Sequence, residues 1–117
     1  MNAYCLVLVI NDISKYDRIM KRLFDMGLGA TSIDSEGMGK FLVQKDVRIP
    51  FFATITQMVE GNRPYNKTVL CMIREREKLT EAVQMIEEEL NIHGKAGMGF
   101  MFVLPVLEYY GFDGNNI

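Results

Sequence analysis

Ala3-Tyr4-Cys5-Leu6-Val7-Leu8-Val9-Ile10 is the stretch on which the reading of this chain turns. It is apolar at almost every position, so a strand built from it has no face for water and belongs inside a sheet, covered on two sides. Asn11 and Asp12 end it. A counterpart stands far downstream, Lys67-Thr-Val-Leu-Cys-Met-Ile-Arg74, again apolar on both faces. Two such strands lie naturally side by side at the centre of one sheet, and the remaining elements must supply its edges and its cover.

Each central strand is followed by a helical pattern. After the first, Ser14 offers an N-cap oxygen, with Asp17 three residues later as a variant capping box. Tyr16, Ile19, Met20, Leu23 and Phe24 then recur at helical spacing, while Lys15, Arg18, Lys21 and Arg22 point elsewhere. Gly27 and Gly29 stop this helix. After the second central strand, Leu79, Ala82, Val83, Ile86 and Leu90 share one face of a helix over 76–91. Glu87, Glu88 and Glu89 fall outside that face and read as a solvated surface, and Gly94 reads as the stop. Ala30–Glu36 alternates weakly around Ile33 and suits an edge strand. Phe100–Val106 is a last apolar strand.

The order β-α-β, insert, β-α-β leaves two helix stripes and one sheet face to be buried together. The expected fold is α+β: a ferredoxin-like βαββαβ sandwich, with a four-stranded antiparallel sheet and two helices on one face. At 117 residues the chain fits one domain, 1–117, because two cores would each be small. Helices reach only one face of this sheet, although its central strands are apolar on both. An oligomer built through the open face, or the insert folded over it, would bury the remainder. Cys5 and Cys71 make neither a disulfide framework nor a metal site; they read as reduced, buried thiols close together in the core.

Composition narrows the function. Hydrophobic residues make up 49% and charged residues 24%, ordinary for a folded domain, and the net charge is −2. Lys and Arg are interleaved with acids, so no nucleic-acid-tracking surface is expected. No apolar run is long enough for a membrane span, and the segment 3–10 lacks the flanks of a secretory signal. The expected setting is cytoplasmic. His93 is the sole histidine and reads as a solvent-facing turn residue. An acyl-phosphate hydrolase would need a phosphate cradle with an arginine after the first strand, and Asn11-Asp12-Ile13-Ser14 has neither arginine nor glycine. A non-enzymatic role is expected.

Residues 37–66 form an insert far longer than the usual connection, and segments of that length are commonly functional. Phe51, Phe52, Ile55, Met58 and Val59 make a helical stripe within it. That stripe tucks against the chain's own assembly, or is offered to a partner protein, for which Phe51, Phe52 and Ile55 are the candidate contacts, or stays disordered until binding.

Two glycine segments bracket the halves: Gly37-Met38-Gly39-Lys40 and Gly94-Lys95-Ala96-Gly97-Met98-Gly99-Phe100-Met101-Phe102-Val103-Leu104-Pro105-Val106. Each alone marks a turn. Together, and in this order of elements, they resemble the nitrogen-regulatory PII family of signal-transduction proteins. That family has Gly-x-Gly-Arg before a long loop, and a Gly-Lys-x-Gly-x-Gly turn before its last strand. The resemblance implies a homotrimer with nucleotide-binding clefts between subunits and a long loop that addresses a target protein. It points to Gly37, Gly39 and Lys40 on one side of the cleft and Gly97, Met98 and Gly99 on the other. It also implies an adenine nucleotide as ligand, although the family's charges are depleted here. Its aspartate is Met98, its phosphate-binding lysine Phe100 and its metal-contacting glutamine Phe41, and its basic C-terminal segment is absent. A triphosphate with magnesium and 2-oxoglutarate fits poorly. A less charged adenine nucleotide, another small ligand, or an empty cleft in a constitutive interaction module all stay open. Met38 and Met98, at matching turns, would make such a cleft apolar.

Overall fold

The structure, a computed structural model, describes residues 2–38 and 65–112. Its elements run β1 (Ala3–Ile10), a 3-10 turn (Ile13–Lys15), α1 (Tyr16–Asp25), β2 (Ala30–Glu36), β3 (Tyr65–Ile73), α2 (Arg76–Leu90) and β4 (Gly99–Val106). All strand pairs are antiparallel and the order across the sheet is β2-β3-β1-β4. The two runs that are apolar on both faces are therefore central neighbours, and the weakly alternating Ala30–Glu36 is an edge. This is the ferredoxin-like sandwich expected from the order of elements.

Alternation sorts the side chains. Leu6, Leu8 and Ile10 of β1 and Val69, Cys71 and Ile73 of β3 point at the helices. They pack with Ile19 and Leu23 of α1 and with Leu79, Ala82, Met85, Ile86 and Leu90 of α2. Each large side chain withdrawn from water there contributes about 1.5–3 kcal/mol. Phe24, expected in the buried stripe, is 60% exposed, and in α2 Met85 is fully inside where Val83 is only half-buried. Both stripes are thus rotated slightly from the expected ones. Cys71 pairs with Leu6, so Cys5 lies on the opposite face of the sheet, and the two thiols do not share the core. Burial, with a smaller contribution from Cys5, pushes the Cys71 thiol up to about 11.

The helix ends differ from expectation in instructive ways. Ser14 does not cap α1. Asp12 accepts from the Ser14 amide at 3.2 Å and from its hydroxyl at 2.6 Å, opening a 3-10 turn that runs into α1, whose own N-cap, Lys15, has no side-chain bond. At the far end, the Gly27 amide donates to Phe24 and the Leu28 amide to Leu23, with Gly27 at φ +78°, the left-handed turn that favours glycine. Helix α2 stops at Leu90 because Asn91 adopts the left-handed conformation (φ 50°), so Gly94 lies beyond its end. Glu89 is not solvated: its carboxylate, 9% exposed, bridges back to Arg18 and Arg22 of α1. His93 is exposed, as expected, and pairs with Glu87.

Opposite the helices lie Cys5, Val7 and Val9, flanked by Leu70 and Met72 of β3 and by Phe100, Phe102 and Leu104 of β4. Phe100, Phe102 and Leu104 are 53%, 44% and 48% exposed, and the two rings stack at 6.4 Å. Among the described residues much of this apolar face stays open to solvent.

Candidate functional site

Strand direction gathers several chain ends at one end of the sheet. Ile10 closes β1 in register with both Lys67 and Gly99, and Glu36 closes β2 opposite Tyr65. Gly37, Asn66, Asn11 and the turn 97–99 therefore follow one another across that end, from the β2 edge to the β4 edge. β3 starts two residues earlier than the sequence suggested, so Tyr65 and Asn66 belong to the sheet and not to the insert.

The second glycine corner is tightly built. The Met98 carbonyl accepts the Asn11 amide at 2.9 Å and the Asp12 amide at 3.0 Å. Its side chain is buried in the core, which corrects the expectation that Met98 lines an apolar cleft; Met38 is exposed. Gly99 sits so close to β1 that a Cβ there would come within 2.4 Å of the Val9 carbonyl oxygen. The absence of a side chain at Gly99 is thus required by the β1–β4 pairing itself. What this corner offers outward is its backbone at Gly97 and the exposed ring of Phe100.

Gly37 lies on the opposite edge. Between the β2 and β4 edges are three inter-strand spacings, about 14 Å, too far for both corners of one chain to hold one small anion. Gly39 and Lys40, like Phe41 and the stripe residues Phe51, Phe52 and Ile55, lie outside the described residues. Among the described residues no group of three His, Cys, Asp or Glu side chains is placed to hold a metal ion. No helix there is long and apolar enough to cross a membrane.

Between the corners runs a polar chain that the sequence did not reveal. Asn66, 8% exposed, is the one polar residue in the buried class among those described. Its Nδ2 donates to Asn11 Oδ1 at 3.2 Å, and its Oδ1 accepts a short hydrogen bond from the Ser35 hydroxyl. Ser35 Oγ also lies 2.8 Å from Thr68 Oγ1. Continuing the β3 alternation two residues upstream, from Thr68 to Asn66, was the one available signal. Nothing in the sequence marks its pairing with Asn11, which stands 55 positions away.

No protein-family model matches the sequence, and no curated protein matches it. Solved structures do. A PII protein from Arabidopsis thaliana, bound to citrate, aligns over 90% of this chain and 78% of its own, with a TM-score of 0.60 and 18% identity. A functionally unknown protein from Pediococcus pentosaceus ATCC 25745 aligns over 96% of this chain and 99% of its own, with a TM-score of 0.61 and 16% identity. At such identities the likeness speaks for the architecture, and it agrees with the resemblance carried by the two glycine segments: this is a divergent chain built on the fold of the PII proteins.

Proposed function

We propose that the chain is a PII-like regulator, not an enzyme, which assembles as a homotrimer and binds a small ligand between subunits. Occupancy would be reported to a target protein through the insert between β2 and β3. The observation that carries this reading is geometric. The two glycine corners share one end of the sheet but occupy opposite edges, beside an apolar face that a second copy would cover. That layout supports a cleft made by Gly37, Gly39 and Lys40 of one subunit and Gly97 and Gly99 of the next. Backbone amides at such glycines approach an anion closely because no Cβ intervenes, and Lys40 would offset its charge. Met98 supports the cleft from the core. Phe51, Phe52 and Ile55 are the proposed target contacts. The two unpaired thiols suit a reducing, cytoplasmic setting.

The ligand is read as modestly charged. With Met98 buried and Phe100 at the corner, few cations are at hand for a triphosphate. Adenosine mono- and diphosphate are the first candidates, and citrate, bound by the plant PII protein, is a second. One observation favours a constitutive interaction module with an empty cleft. The turn before β4 is held by its own chain, through the Asn11 and Asp12 amides on the Met98 carbonyl.

Light scattering and a thermal-shift screen separate these readings. A mass of three chains is expected, together with a rise in melting temperature for one of the nucleotides or citrate. A ligand at 100 times its Kd adds about 2.7 kcal/mol, which is easily read. A trimer that answers to none of them supports the interaction module, and a monomer at micromolar concentration overturns both.

A further inference from the structure

We infer that Asn66 is a positioning residue, a clasp that ties both roots of the long insert to the turn before β4. Its neighbours show why. Ser35 belongs to β2, the strand leading into the insert, and Asn66 to β3, the strand leading out of it. Asn11 follows β1 and donates its amide to the Met98 carbonyl, one residue before β4. Four chain segments are thereby connected in series: Ser35 to Asn66, Asn66 to Asn11, Asn11 to Met98.

Stability does not account for an asparagine here. Position 66 continues the β3 face that carries Thr68, Leu70 and Met72, and an apolar residue there would be withdrawn from water without burying a polar group. A withdrawn amide is costly unless its donors and acceptors are met, and here they are met by residues from β2 and from the end of β1. Among the described residues no buried side-chain nitrogen or oxygen lacks a partner. A chain of hydrogen bonds in which each buried polar atom has a partner is the kind of contiguous network that carries coupling between segments. A movement of the 97–99 turn displaces the carbonyl that holds Asn11, and Asn11 in turn holds the base of the insert.

The inference takes its purpose from the proposed function, but its test needs neither ligand nor trimer, so either can fail alone. Amide hydrogen exchange is measured by NMR on the full chain for the wild type, Asn66→Ala and Ser35→Ala. In Asn66→Ala the amides of Asn11 and Asp12 are expected to exchange at least ten-fold faster, with the mid-sheet amides of Leu6 and Cys71 within two-fold of wild type. Ser35→Ala is the decisive variant, and it still tests the clasp if Asn66→Ala fails to fold. No hydrogen bond joins Ser35 directly to Asn11 or to the turn, so a several-fold acceleration at Asn11 and Asp12 reports transmission through Asn66. Unchanged exchange at those two amides in Ser35→Ala overturns the inference. So does an equal acceleration at Leu6 and Cys71, which would mean a general loss of stability.

Discussion

One carboxylate oxygen, Glu89 Oε1, accepts from Arg18 Nε and from an Arg22 guanidinium nitrogen, each at 2.7 Å, and so links the two helices. The hydrogen bond from Arg18 is the main reason that the Glu89 pKa is lowered; its partial burial works the other way, and Arg22 adds to the lowering. A carboxylate acidified by folding stabilises the chain in full above its unfolded pKa, about 4.3, and loses that contribution as pH falls through the lower folded value. Glu89→Gln should therefore cost about 1 kcal/mol near pH 7, a modest sum because Arg18 is largely solvated. In urea titrations the gap between wild type and variant should close as the pH falls into that acid window. A gap unchanged down to pH 2 would show that the ion pairs carry none of it. Glu89 was hidden from the sequence because its run of three glutamates looks uniform, and only the placement of α1 distinguishes the third.

Among the elements, β1, β3 and α1 were legible because each carries a local signal: an apolar run without alternation, or a stripe at helical spacing. Ends were harder to read. Asn91 ends α2 in a conformation that glycine shares with few other residues, so the eye goes to Gly94. Two glycines of opposite kind make a test of how elements are held. Gly27 needs only its backbone angle, since an added Cβ would meet nothing nearer than Lys78 Nζ at 3.9 Å. Gly27→Ala should cost about 1–2 kcal/mol in chemical denaturation. Gly99→Ala drives a methyl into the Val9 carbonyl and must open the β1–β4 ladder, so about 3 kcal/mol or more is expected. Equal effects would mean that Gly99 matters for its turn and not for its closeness to β1.

For the molecule as a whole, the sequence foretold a sheet with helices on only one face, and that is the arrangement of the described residues. The polar chain at the end of that sheet was not legible, because residues 11, 35, 66 and 98 come from four different segments that meet only after folding. If copies assemble through the open face, Phe102→Glu should leave each chain folded, since Phe102 is already 44% exposed, yet reduce the scattering mass to that of one chain. Cys5 provides a second readout. It lies on this face, whereas Cys71 is buried with a thiol that stays protonated at neutral pH. A thiol reagent should modify Cys5 faster in the Phe102→Glu variant than in the wild type and leave Cys71 intact in both. Equal rates at Cys5 would place the contact between copies elsewhere.

The rung between Glu36 and Tyr65 closes the β2–β3 ladder before the insert begins. Whatever hangs beyond that rung is, to the sheet, the tip of a hairpin. Loop-closure entropy grows only slowly with length, about 0.6 kcal/mol per doubling. Chains sharing this architecture can accordingly lengthen, shorten or rewrite the tip, while the framework beneath stays as it is.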